Sequence, residues 1–206
     1  MSNKSPTIFI VDDDPAVLTG LSRLLRSAGL NVVTFISPEQ FLDQHDPNAP
    51  GCLVLDVAMP GLNGLELQEA LTKSGSMIPI IFLTGHGTVP ASVQAMKRGA
   101  LDFLSKPVDE KDLLGAIHIA IEKDEAARQT RAEIDEIQER LKTLTPRERE
   151  VLTHVVTGQL NKQIAYDLGT VEKTIKVHRA RVMEKMKVNS VAELVHLCER
   201  VGINWH

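Results

Sequence analysis

The sequence predicts an α/β domain built on a five-stranded parallel sheet, joined by a long helix to a smaller all-α domain of four helices. Three patterns predict it. Over the first ~120 residues, short β-branched runs alternate with amphipathic stretches, as in a parallel sheet covered by helices. Between Ala116 and Pro146 there is neither Gly nor Pro, so one helix continues past the point where a compact domain would end it. From Thr145 onward the pattern becomes short helices separated by small-residue turns.

The expected strands are Thr7 to Val11, Asn31 to Phe35, Cys52 to Asp56, Ile78 to Thr84 and Leu101 to Ser105. Helices fall between them: Leu18, Leu21, Leu24 and Leu25 share one face after Pro15, and Leu65, Leu67 and Leu71 follow the turn at Gly61 to Gly64. The fifth helix begins near Asp109. Its apolar and small positions Ala127, Thr130, Ile134, Ile137, Leu141 and Leu144 follow a heptad seam, which admits a two-stranded coiled coil; a solvated helical linker is the alternative. Thr145-Pro146-Arg147-Glu148 then supplies an N-cap, a proline at the first helical position and an acid in the first turn. Gly158 closes that helix, a second runs from Asn161 to Leu168, Gly169-Thr170-Val171 turns, a third extends from Glu172 to Lys187, and Ala192 to Val201 forms the fourth. The expected division is 1–124, a helical linker 125–144, and 145–206.

No apolar run approaches the ~18 residues of a membrane span, and Met1 to Thr7 lacks the order of a signal peptide, so a cytoplasmic protein is expected. Cys52 and Cys198 both lie in apolar stretches without CxxC spacing, which argues against a disulfide framework or a zinc site. The net charge of −4 hides an asymmetry: −6 over residues 1–124, −1 over 125–144 and +3 over 145–206. An acidic front and a basic back point to a cation site first and a polyanion surface second.

The C-terminal ends of parallel strands form the binding crevice of such a sheet. Asp12 and Asp13 end the first strand, Asp56 the third and Thr84 the fourth, while Lys106 ends the fifth before Pro107. Three gathered carboxylates repel one another unless a cation is bound, and an all-oxygen donor set suits Mg²⁺. A phosphoryl group on Asp56 would then be neutralised by Mg²⁺ and Lys106 and hydrogen-bonded by the Thr84 hydroxyl. Any one of these residues alone is an ordinary turn or cap residue; five on the right strands form a site.

With Val-Asp-Asp-Asp, Leu-Asp-Val-Ala-Met-Pro-Gly, Leu-Thr-Gly-His-Gly and Lys-Pro in order, residues 6–123 resemble the receiver domain of bacterial response regulators. The resemblance implies a sheet in the flavodoxin-like order 2-1-3-4-5 and a phosphoryl group taken by Asp56 from the histidine of a sensor kinase. It implies Mg²⁺ on Asp13, Asp56 and the Ala58 carbonyl, with Asp12 assisting through water, and a cis peptide before Pro107. Phe103 matches an aromatic that turns inward when the threonine moves toward the phosphoryl group; its plainer role is core packing. The surface from Pro90 to Ser105 would then change and offer a homodimer contact. Ala58 and His86 lie where side chains tune phosphate lifetime. The chain would be no enzyme beyond slow self-dephosphorylation.

In the C-terminal part, Ile175, Val182 and Met186 recur at helical spacing and should face the core, leaving Lys173, Lys176, Arg179 and Arg181 for phosphates or base edges. Periodicity alone would make this a solvated charged face. Leu-Thr-Pro-Arg-Glu-Arg-Glu-Val-Leu, Asn-Lys-Gln-Ile-Ala and Val-Glu-Lys-Thr-Ile-Lys-Val-His-Arg, however, make residues 145–202 resemble the LuxR-type helix-turn-helix. By that resemblance Lys176, Val177 and Arg179 or Arg181 read bases of a double-stranded DNA operator, while Lys162, Lys173, Thr174 and His178 fix the backbone. Members often carry another cation where this chain has Ala180. Leu194, Leu197 and Cys198 lie on the segment that pairs two such domains, and RNA polymerase is a further candidate partner. The two domains in this order look like the FixJ branch of response regulators. Two other readings compete: a regulator acting through protein or RNA contacts, and a haloacid-dehalogenase-like phosphatase. The latter is disfavoured because Asp12-Asp13-Asp14 lacks the nucleophile context of that class.

Overall fold

The computed structural model describes residues 5–85 and 89–203, excluding the side chains of 89–92. In the first unit, strands β1 (Thr7–Val11), β2 (Asn31–Phe35), β3 (Gly51–Asp56), β4 (Ile80–Thr84) and β5 (Asp102–Ser105) form one parallel sheet in the order β2-β1-β3-β4-β5. Helices α1 (Pro15–Ser27), α2 (Pro38–Gln44), α3 (Gly64–Lys73) and α4 (Val89–Lys97) connect them, and α5 runs from Glu110 to Lys142. β4 begins two residues later than its apolar run, because Pro79 has no N–H to give a sheet ladder; its carbonyl still accepts from the Leu53 amide at 2.9 Å.

All of β3 and β4 is buried, as expected of central strands covered on both faces. Alternation along the strands builds two cores. Ile8, Ile10, Val54, Ile81 and Leu83 pack with Leu18, Leu21 and Leu25 of α1 and with Leu113, Ile117 and Ala120 of α5. Phe9, Val11, Leu53, Leu55 and Phe82 face the other way, onto Phe41 of α2 and Leu67 and Leu71 of α3. Local caps set where helices begin: the Asp14 carboxylate accepts from the Ala16 amide ahead of α1, and Asn63 and Glu66 form a reciprocal capping box on α3.

The chain divides by its contacts at Arg128/Gln129, inside α5. In the second unit α6 (Pro146–Val156), α7 (Asn161–Asp167), α8 (Glu172–Met186) and α9 (Val191–Arg200) follow the end of α5. Thr145 and Glu148 cap α6 reciprocally, and Lys187 closes α8 in the left-handed region with φ of 55°. Their core joins Val151, Leu152, Ile164, Ile175, Val182, Met186, Leu194 and Cys198. Ile137 and Leu144 are buried in that same core and Leu141 packs against it. The second half of the expected heptad seam therefore serves the unit's own interior: the 3-and-4 spacing marks an apolar stripe without saying whose surface covers it.

Candidate functional site

β1, β3 and β5 end side by side or one strand apart, so their last residues converge at one edge of the sheet. Asp12 and Asp56 are buried there, 2% and 6% exposed, and so is Thr84 at the end of β4. Charges taken this far from water need a partner. The Lys106 ammonium provides it, 2.5 Å from Asp12 Oδ2 and 2.7 Å from Asp56 Oδ1. It is delivered by a short tether: the Lys106 amide donates to the Thr84 carbonyl at 2.7 Å, and the Lys106-Pro107 peptide is cis, as the resemblance implied. The second oxygens are held by backbone, with the Asp14 amide donating to Asp12 Oδ1 at 3.0 Å and the Ala58 amide to Asp56 Oδ2 at 2.8 Å.

Burial holds the Asp12 carboxyl above its usual value, against the opposing hydrogen bonds from Lys106 and the Asp14 amide. Burial also works to lower the Lys106 ammonium, but its bonds to the two carboxylates prevail and hold it above the usual lysine value. Both shifts favour the protonated form, through burial at Asp12 and through the two carboxylates at Lys106, and one ammonium against two carboxylates leaves the site short of positive charge. Of the three carboxylates expected to gather, two meet. Asp13 is exposed, and among the described residues no group of three or more Asp, Glu, His or Cys side chains is arranged to hold a metal ion. An ammonium already bridges the two buried acids. The charge shortfall and the hard oxygen donors fit a small divalent cation such as Mg²⁺.

Phe103, on β5, is partly buried with its ring centroid 6.0 Å from that of Phe82. It occupies the packing role. His86 lies outside the described residues. Gly64, which no motif reading singled out as essential, sits so close to the site that a Cβ there would stand 2.2 Å from the Asp56 carbonyl oxygen.

The opposite end of the sheet holds a second cluster that motif reading missed. Asp124 is 4% exposed and accepts from the Gly51 amide at 2.9 Å and from Arg128 Nε at 2.7 Å. Arg128 spends its other nitrogens on the Asn48 and Ala49 carbonyls, at 2.9 and 2.6 Å. The signal was present: Asp124 continues the buried stripe of Leu113, Ala116, Ile117 and Ala120, and an acid on an apolar stripe needs a partner.

In the second unit, Lys173, Lys176, Val177 and Arg181 on α8 are exposed, as is Lys162 on α7; Thr174, His178 and Arg179 are half-buried. Lys176 pairs with Glu172 at 3.1 Å, and Arg179 Nη1 donates to Asn161 Oδ1 at 3.0 Å. Arg147 donates to the Leu168 carbonyl at 2.7 Å, bracing the turn between α7 and α8. α7, the turn and α8 have the helix-turn-helix arrangement of a DNA-reading motif, with Lys162, Lys173, Lys176 and Arg181 as its exposed cations.

Comparison with known proteins agrees with both halves. Residues 8–118 match the response regulator receiver domain family, and residues 142–198 match the bacterial regulatory proteins of the luxR family. The chain is 46% identical over 201 residues to the response regulator protein TodT of Pseudomonas putida, covering 98% of this chain and 88% of that one. It is 43% identical over 196 residues to the transcriptional regulatory protein FixJ of Bradyrhizobium diazoefficiens, covering 95% and 96%. Among solved structures, the response regulator StyR superposes with a TM-score of 0.87 at 48% identity, covering 95% of this chain and 99% of that one.

Proposed function

Since the chain belongs to the two-component response regulators of the FixJ branch, in which a receiver domain precedes a LuxR-type DNA-binding domain, we propose that Asp56 accepts a phosphoryl group from a sensor histidine kinase and thereby controls sequence-specific DNA binding. The observation that carries this reading is the Lys106 ammonium bridging buried Asp12 and Asp56. A carboxylate oxygen of Asp56 attacks phosphorus, the P–N bond of the donor phosphohistidine breaks and the imidazole leaves. Lys106 is in place to neutralise the charge that arrives, and the Thr84 hydroxyl is its hydrogen-bond donor. Mg²⁺ would be held by Asp13, Asp56 and the Ala58 carbonyl, with Asp12 acting through water, and supplies neutralisation of the phosphoryl oxygens. Residues 1–124 are the phosphoacceptor part, 125–144 the helical link and 145–206 the DNA reader. In that reader Lys176, Val177 and one of the arginines face bases, and Lys162, Lys173, Thr174 and His178 face the backbone.

Activity of this kind belongs in the cytoplasm, with RNA polymerase as the downstream partner and self-dephosphorylation as the only turnover. Incubation with acetyl phosphate and Mg²⁺ should label the chain stoichiometrically. Labelling that persists in Asp56→Asn overturns the assignment, as does steady hydrolysis of phosphate esters by the purified protein.

A further inference from the structure

The two arginines of α8 that the sequence leaves interchangeable are separated by the fold. At about 100° per residue, Lys173, Val177, Ala180 and Glu184 lie at the pole opposite the buried Ile175, Val182 and Met186. Lys176 and Arg181 flank that pole on its two sides. All six are exposed. Arg179 falls about 40° from Ile175, against the core side, where it is half-buried and donates through Nη1 to Asn161 Oδ1 at the start of α7. A guanidinium engaged there is turned away from the face that the groove would meet. Among the described residues Arg181 has no such tether, and it lies one turn from Val177 on the exposed face.

We propose that Arg179 is a positioning residue that locks α7 to α8, and that Arg181, together with Lys176 and Val177, determines which bases the protein reads. The inference rests on α8 entering the major groove. It divides the cationic set by role: the Arg179 to Asn161 strut sets the separation of the two helices, while the exposed guanidinium of Arg181 is free for the bidentate contact that an arginine makes with guanine. Glu184 marks the end of the DNA-facing stretch, because a carboxylate there would repel phosphate.

The test uses the full chain treated with acetyl phosphate and DNA selected from a random pool by the wild-type protein. Arg179→Ala and Asn161→Ala should each weaken binding about five-fold, the scale of one hydrogen bond, and select the same sequence as wild type. The double variant should lose no more than either single one, since both remove one interaction. Arg179→Lys should keep most of the affinity, because one donor suffices for the strut; a bidentate base contact would not survive that change. Arg181→Ala should select a sequence degenerate at a position of each half-site, and its loss should add to that of Asn161→Ala. A selected sequence altered by Arg179→Ala, a loss in Arg179→Lys equal to that in Arg179→Ala, or an unchanged selection in Arg181→Ala overturns the division of roles. A wild-type chain that selects no sequence overturns the DNA-binding reading itself.

Discussion

Gly64 shows how narrowly the phosphoacceptor is placed. The first residue of α3 passes so close under the end of β3 that any side chain would have to displace the Asp56 backbone, and backbone yields less easily than a flexible side-chain end. Gly64→Ala is expected to cost about 1–3 kcal/mol, as overpacking does, and to slow acetyl phosphate labelling of Asp56; thermal unfolding and labelling rate check both. His45 offers a residue-scale test of pH dependence. Its ring stacks on Phe41 and stands edge-on to Phe9, with Nδ1 buried and, among the described residues, without a hydrogen-bond partner. Burial, above all, lowers its pKa below the usual 6.5. The unfolded chain therefore binds the proton first as pH falls, and the stability from a neutral His45 is present above pH 6.5 and lost progressively below it. His45→Phe should flatten the decline of melting temperature below that pH relative to wild type. An unchanged slope would refute the burial argument. Cys52, whose thiol burial pushes up to about 12, is expected to resist thiol reagents until the chain unfolds.

At the scale of elements, the pair Asp124 and Arg128 explains where the receiver's hold on α5 ends. The carboxylate anchors the start of β3, and the guanidinium closes over the two carbonyls that precede it. The contact boundary falls directly after Arg128, so the last residue of the clamp is the last residue of the first unit. Asp124→Ala leaves the Gly51 amide and Arg128 Nε without their acceptor, and it should destabilise the receiver by roughly 2–4 kcal/mol, measured as a shift in the urea midpoint at constant slope. Asp56 labelling in folded protein should be unaffected, since the clamp sits at the opposite end of the sheet. Such a clamp was only half legible in the sequence: the buried stripe exposes Asp124 as anomalous, but its acceptor role depends on Gly51, seventy-three positions away.

At the scale of the whole molecule, the proposal is that phosphorylation creates a homodimer through the α4 and β5 surface, Pro90 to Ser105. Its motivation is Phe103 on β5, whose partly buried ring packs beside that of Phe82. Val93 and Met96 of α4 are exposed apolar residues on it, about half accessible at 46% each. Adding beryllofluoride with Mg²⁺ should double the molecular mass in light scattering, and Phe103→Ala should weaken that response. A mass that does not change would send the dimer reading elsewhere. The linker is a poorer candidate than its heptads imply, because Ile137, Leu141 and Leu144 already belong to the interior of the second unit.

The sequence by itself determined the alternation that makes a parallel sheet, the strand ends that carry Asp12, Asp56, Thr84 and Lys106, and the capped helices of the second unit. These are local properties: a period of two or 3.6 residues and the chemistry of a cap are written within a few neighbouring positions. Only the tertiary structure decided which groups pair. It brought Lys106 between two acids and left Asp13 outside, gave Asp124 to Gly51, tied Arg179 to Asn161 while leaving Arg181 exposed, and folded half of the heptad seam into a core. Periodicity specifies which face of an element is apolar or charged, whereas the identity of the partner on that face is set by long-range packing that no local pattern contains.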